Sequence, residues 1–218
     1  MALKPIYLVR LAVKNPEMDA KFRAWYNGVH LPDLLKVPGV VKDARFDLIK
    51  GDIASLAIYE FPSVDAMMEG KNSDELAKAK ADTQARWGSY LDPRGERYWC
   101  DVLEVYECRR DGLLDSGTSF VAYSTRDDSM ASKYIVGELL PELRRFGLST
   151  AVLYKVLYKD PESLPDRILM LQFKSEDIKA LVAGIDGVIS RARSVGLFEK
   201  LTIAHYDFAV SYTRNPPG

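Results

Sequence analysis

Histidine is scarce in this sequence: His30 and His205 are the only two in 218 residues. Cysteine is equally scarce, with Cys100 and Cys108 alone. Two cysteines make no disulfide framework. Both fall on or at the end of one expected strand, where residues eight apart stand roughly 25 Å from each other, too far to bond. With two histidines and no CxxC, a tight zinc site is disfavoured. Long apolar runs are also missing. No stretch approaches the roughly 20 residues that cross a bilayer, and the opening MALKPIYLVRLAV lacks the length and cleavage pattern of a secretory signal. Charge of one sign is missing too: 30 Lys and Arg face 31 Asp and Glu, a formal net charge of −1. That removes the electrostatic case for nucleic acid or an anionic membrane as partner. No GxGxxG, GxxxxGK[ST] or GxSxG occurs, which disfavours nucleotide chemistry and serine hydrolysis. What remains is an ordinary globular composition, 47% apolar and 28% charged, with a cytoplasmic address expected. The length suits one large domain or two small ones with a sizeable core.

The most informative stretch is FRAWYNGVHLPDLLKVPGV, Phe22 to Val40. Met18, Phe22, Trp25 and Val29 follow the spacing of one helix stripe, expected to pack against a sheet. Tyr26 and His30 stand four apart and about 100° of rotation from that stripe. They would line its edge, where a pocket can open between helix and sheet. Pro32 removes a backbone donor, so the helix is expected to stop near His30, and Val37-Pro38-Gly39 to turn the chain into the next strand.

Alternation and punctuation give a strand at Ile6 to Val13, a helix from the cap Asn15-Pro16 to about His30, and strands at Val40 to Ile49 and Ile53 to Phe61. A helical region follows from Pro62 to about Tyr90, broken near Gly70 to Ser73, where Ser73-Asp-Glu-Leu opens a fresh helix. A strand at Arg97 to Glu107 ends the half. The same order then returns: strand Ser119 to Thr125, helix Asp127 to Phe146, strands Ser149 to Tyr158 and Arg167 to Phe173, helix Ser175 to Val195, strand Leu201 to Val210. Each half is β-α-β-β-α-β, the ferredoxin-like unit. The expected division is 1–108 first half, 109–118 linker, 119–212 second half and 213–218 frayed tail. A shift of 108 lays Tyr26 over Tyr134, Gly39 over Gly147 and, without gaps, His30 over Glu138, pointing to duplication. A lone unit leaves one sheet face bare. The expected fold class is therefore α+β, with two fused units covering each other as an eight-stranded pseudo-dimeric α/β barrel.

The pattern F-x-x-W-Y-x-x-x-H-L-P-D-L-L-x-V-P-G-V, followed by a charged strand with Arg45 and then LAIYEF (Leu56 to Phe61), resembles the dimeric α/β-barrel superfamily, and within it the EthD-like group. The motif resemblance covers residues 1 to about 107; the second half resembles the superfamily only in element order. It implies a small catabolic or biosynthetic enzyme: a dehydratase, isomerase, cyclase or lyase, several of which use a pocket histidine without any cofactor, or a haem- or quinone-acting monooxygenase. His30 matches the recurrent histidine.

For His30 the choice is a general acid/base, since imidazole titrates near neutrality, or a structural group hydrogen-bonding carbonyls at its helix end. Tyr26 either polarises a substrate oxygen or packs its ring; Asp33 is near enough in sequence to orient the imidazole. Arg10 and Arg45, both mid-strand, could bind a carboxylate or phenolate from a barrel interior or form internal ion pairs. Trp25, Trp87 and Trp99, the last two with Tyr98, could wall an aromatic pocket or belong to the core. His205 shares a strand face with Asp207 and is a second acid/base candidate or a polar stripe. The leading expectation is a lyase, dehydratase or isomerase without cofactor or metal, using His30, Tyr26 and Asp33. Its partner is a small aromatic or polyketide-like hydroxy-carbonyl compound. A barrel monooxygenase of a phenol or haem and a non-catalytic binder of small aromatic metabolites are the alternatives. Further homodimerisation through outer helices or a strand edge is left open.

Overall fold

The computed structural model describes residues 3–108, 117–173 and 178–214, with 107 and 108 by backbone alone. Eight strands close into one barrel: β1 (Ile6–Leu11), β2 (Lys42–Lys50), β3 (Ser55–Glu60), β4 (Glu96–Cys108), β5 (Thr118–Ser124), β6 (Leu148–Asp160), β7 (Arg167–Phe173) and β8 (Glu199–Thr213). Around the barrel the order is β1-β3-β2-β8-β5-β7-β6-β4, antiparallel at every junction. Each half thus contributes a 4-1-3-2 sheet, and the seams are β2 against β8 and β4 against β6. This is the fused, mutually covering pair of ferredoxin-like units that the element order implies. Most of the expected linker, 109–116, and the tail residues 215–218 lie outside the described residues. Thr118 already belongs to β5, and β8 runs on to Thr213, paired with Lys42, rather than fraying there.

Strand parity sorts side chains into three cores. Even-numbered positions of β1 to β3, such as Ile6, Leu8, Phe46 and Ile58, meet Phe120, Tyr154, Met170 and Tyr206 inside the barrel. Odd-numbered positions such as Tyr7, Val9 and Tyr59 point outward beneath the first half's helices. Val121, Leu169 and Leu171 do the same in the second half. Those helices are α1 (Asp19–Trp25), α2 (Leu31–Leu34), α3 (Val64–Lys71) and α4 (Asp74–Trp87) in the first half, and α5 (Asp128–Tyr134), α6 (Leu140–Leu143) and α7 (Ile178–Arg191) in the second. The break before Ser73 is present: the Ser73 hydroxyl accepts the Leu76 N–H at 3.3 Å and caps α4.

The first helix departs from expectation. It does not stop at His30. A π-helical turn, Tyr26–His30, joins α1 to α2, with the Leu31 N–H bonded to the Tyr26 carbonyl five residues back. The wider turn lets the chain continue through Pro32, whose ring would otherwise press on the carbonyl four residues before it. It also moves the buried stripe by one residue. Phe22, Tyr26, His30, Leu31 and Leu34 face the sheet, while Val29, expected there, is 43% exposed. The second half repeats the device at Ile135–Leu139 ahead of Pro141. Matching turn to turn sets the internal shift at 109, so Tyr26 corresponds to Ile135 and His30 to the buried Leu139. The shift of 108, with Tyr134 and Glu138 as counterparts, is corrected; it holds only past α2 and α6, which are still 109 apart, at Gly39 and Gly147, both with a left-handed φ, 79° and 77°. At Gly39 a Cβ would stand 2.8 Å from the Ala66 carbonyl oxygen, so both backbone and space call for glycine.

Candidate active site

A cavity of about 440 Å³ opens between the outer face of the first half's sheet and its helices. Its floor is aromatic: Tyr7 and Tyr59, paired across β1 and β3, and Tyr26 from the π turn, all buried. The Tyr26 and Tyr59 hydroxyls are 3.0 Å apart, and whichever donates, the other keeps its own O–H proton free for a ligand. Burial pushes the Tyr26 phenol up to about 12 and raises Tyr59 well above the ordinary phenol value, so both stay protonated donors at neutral pH. Apolar walls come from Val9, Leu11, Leu34, Leu76 and Leu91. Lys80, its amine partly desolvated, and Gln84 of α4 stand at the opening, with Arg97 from β4 and Asp160 from β6. Asp160 comes from the second half, so the opening is completed across the seam between the halves.

His30 lines this cavity and is 8% exposed. Its ring stacks on Trp25 with centroids 4.9 Å apart and meets the Tyr26 ring at 4.7 Å. Nδ1 lies 3.4 Å from the Thr83 hydroxyl. That hydroxyl already donates to the Ala79 carbonyl at 2.9 Å, so toward the imidazole it can only accept. Nδ1 therefore carries the proton and Nε2 the lone pair. Nε2 has no protein partner among the described residues. Burial lowers the imidazole to about 4, only partly offset by Asp33 and Asp82; the ring is neutral at pH 7. Behind the phenol pair, Asp43 sits across the ladder from Tyr59, fully buried and pushed up to about 7 by burial.

Of the nine residues singled out from sequence, the cavity gathers His30 and Tyr26, with Trp25 one layer behind the imidazole. Asp33 does not orient the ring: it is partly exposed and holds Lys36 at 2.6 Å, while Thr83 takes the orienting place. Arg10 has even parity and points inside the barrel. There it bonds Tyr206 at 2.9 Å, pairs with Glu96 at 2.6 Å and with Asp52, and lies over the Phe120 ring. Arg45 has odd parity and faces the helices rather than the barrel interior, tied to Asn27 at 2.5 Å, Ser55 at 3.1 Å and Asp47 at 2.8 Å. Both arginines are internal pairing groups away from the cavity. Trp87 packs edge-on against Phe22 at 5.2 Å, and Trp99, the cross-strand partner of Tyr7, stacks on it at 3.9 Å beside the floor. His205 lies under α7, fully buried between Ser119 at 2.7 Å and Asp186 at 3.3 Å, with Lys50 on the far side of that carboxylate. Its partner is Asp186, not the same-face Asp207. Among the described residues no group of three or more His, Cys, Asp or Glu could hold a metal ion.

Tyr7, Tyr59, Thr83, Lys80, Arg97 and Asp160 escape the sequence reading. Parity could have offered Tyr7 and Tyr59, each alternating with interior positions. Thr83 and Lys80 become visible only once α4 is laid over the sheet. The equivalent space in the second half is all but filled, leaving about 10 Å³. Ile135 and Leu139 stand where Tyr26 and His30 stand. The cross-strand pair is Val121–Leu169, and Phe198 packs onto Tyr123 and Tyr134.

The closed barrel and its two helical layers give the chain the dimeric α/β-barrel fold in a single-chain form. No protein-family model matches the sequence, and no curated protein matches it. Solved structures sharing the fold include an anthrone oxidase-like protein at 13% identity and a TM-score of 0.69, covering 96% of this chain and 93% of the other. A candidate monooxygenase from Fusobacterium nucleatum subsp. nucleatum matches at 10% identity and a TM-score of 0.62, over 98% and 96%. A candidate chlorite dismutase matches at 15% and 0.52, over 94% and 95%. At such identities the likeness establishes architecture, not chemistry. The narrower resemblance to the EthD-like group rests on the sequence motif.

Proposed function

We propose that the protein is an enzyme that moves a proton without a cofactor: a lyase, dehydratase or isomerase acting on a small aromatic or polyketide-like hydroxy-carbonyl compound. The observation that carries this reading is the unpartnered Nε2 of a neutral, buried His30 facing a cavity floored by phenol hydroxyls. In the elimination form, Nε2 removes the proton from the carbon beside the carbonyl. The electron pair of that C–H bond moves to the carbonyl oxygen, which accepts a hydrogen bond from Tyr26 or Tyr59 as it becomes negative. When the pair returns, the bond to the neighbouring hydroxyl breaks, and the imidazolium hands its proton to the departing oxygen, releasing water. A ring that titrates near 4 is a weak base but a strong acid once charged, so it passes the proton on rather than holding it. In the isomerase form the same proton returns to a different carbon.

The test is a screen of hydroxy-carbonyl compounds in D2O, read by NMR for deuterium entering the carbon beside the carbonyl. His30→Ala should lower exchange and turnover at least about a hundredfold. Wild-type rates in that variant would remove the mechanism. A second reading, oxidation of an electron-rich phenol, draws support from the names of the anthrone oxidase-like and monooxygenase neighbours. It begins with the same deprotonation and is separated by stoichiometric oxygen uptake.

A further inference from the structure

The opening of the cavity has a feature that proton transfer at His30 does not use. Lys80 from α4 and Arg97 from β4 both line it, and among the described residues Asp160 is the single acidic side chain that does. Arg97 Nη1 stands 3.5 Å from Asp160 Oδ2, a loose pair whose carboxylate is 63% exposed. Such a pair contributes little to stability and gives way easily. Burial raises the Tyr7 phenol at the cavity floor, and the positive charge of Arg97 partly offsets that shift. Lys80 is lowered by burial and by the positive charges of Arg97 and Lys71, with Asp160 as the one opposing influence. Two cations therefore stand at the mouth of the pocket with one loosely held counter-ion between them and solvent.

We propose that Arg97 and Lys80 form an anion subsite at the cavity mouth, occupied by a ligand carboxylate for which Asp160 is the displaceable stand-in. The guanidinium presents a planar fork suited to two parallel hydrogen bonds with a carboxylate, and the lysine adds a second charge. A ligand that fits this cavity is then an aromatic or hydroxy-carbonyl acid, its carboxylate at the mouth and its body over the tyrosine floor. The proposal deepens the proton-transfer reading by naming a charge on its substrate, but it is a statement about binding and stands or falls separately.

Salicylate and salicylamide share a body and differ in charge, which makes them the probes. Equilibrium titration followed by tryptophan fluorescence or calorimetry should show salicylate binding about tenfold more tightly, as expected for one charge-assisted bidentate contact. Arg97→Gln should abolish that preference, and Lys80→Gln should reduce it. Asp160→Asn should strengthen salicylate binding several-fold and leave salicylamide unchanged, an effect that loss of folding cannot mimic. His30→Ala should keep the preference, so a failure of the proton-transfer mechanism leaves this result intact. Equal affinity for the two probes, a preference that survives Arg97→Gln, or no saturable binding of salicylate would overturn the subsite.

Discussion

At the residue scale, the decisive fact about His30 is the direction of its hydrogen bond. The Thr83 hydroxyl has spent its proton on the Ala79 carbonyl, and this fixes which imidazole nitrogen faces a ligand with its lone pair. Burial then sets the charge. The unfolded chain protonates this imidazole near 6.5, whereas the folded chain takes the proton only near 4. Between those values the unfolded state binds more protons, so stability falls as pH is lowered from about 6.5 to about 4 and levels off below. The expected loss is on the order of 3 kcal/mol for a shift of this size. Urea melts of wild type against His30→Gln should show the difference between them changing by that amount across the window; a constant difference would mean that the ring protonates freely in the folded state. The sequence made His30 and Tyr26 visible through scarcity and spacing. Thr83, 53 positions beyond His30 and in a different helix, leaves no local signal, and Asp33 is a candidate only because it is near in sequence rather than in space.

At the element scale, the π turn makes the site. In a regular helix the stripe of Phe22, Trp25 and Val29 would face the sheet and His30 would sit at its edge. The additional residue at Tyr26–His30 brings Tyr26 and His30 together beneath the helix. Hydrophobic periodicity cannot reveal this, because it assumes one pitch throughout; Pro32 marks the place, but a proline ordinarily signals a stop. Deleting Gly28, whose surroundings are open, should return the turn to α pitch and rotate the preceding segment by about 100°. Salicylate binding should be lost while far-UV circular dichroism is kept. Deleting Gly137, its counterpart in the second half, should leave binding unchanged. Equal effects of the two deletions would show that the turn has no special part in the site. Strand boundaries were legible to within a few residues because alternation is a strong signal, and Arg167–Phe173 coincides with the expectation at both ends.

At the scale of the whole molecule, two architecturally equal halves differ in their helix–sheet space: about 440 Å³ is open in the first and about 10 Å³ in the second. Duplication explains the barrel: the interior core of Leu8, Phe46, Tyr98, Phe120, Met170 and Tyr206 draws on both halves, so neither sheet can bury its inner face alone. A fragment of residues 1–108 should accordingly sediment as a dimer or aggregate rather than as a folded monomer; a stable monomer in analytical ultracentrifugation would contradict that dependence. The order of six elements, twice, made the closure readable from sequence. The loss of the second pocket was not readable, because it depends on Leu139 and Phe198 lining the same space in a register one residue away from the apparent one.

The most direct measurement is the 15N NMR titration of His30, with His205 assigned by substitution. The expected spectrum is a neutral imidazole with the proton on Nδ1, titrating near 4, whose Nε2 resonance moves when salicylate is added. A ring that titrates near 6.5, carries its proton on Nε2, or ignores the ligand would contradict the assignment of His30 as the base of this cavity.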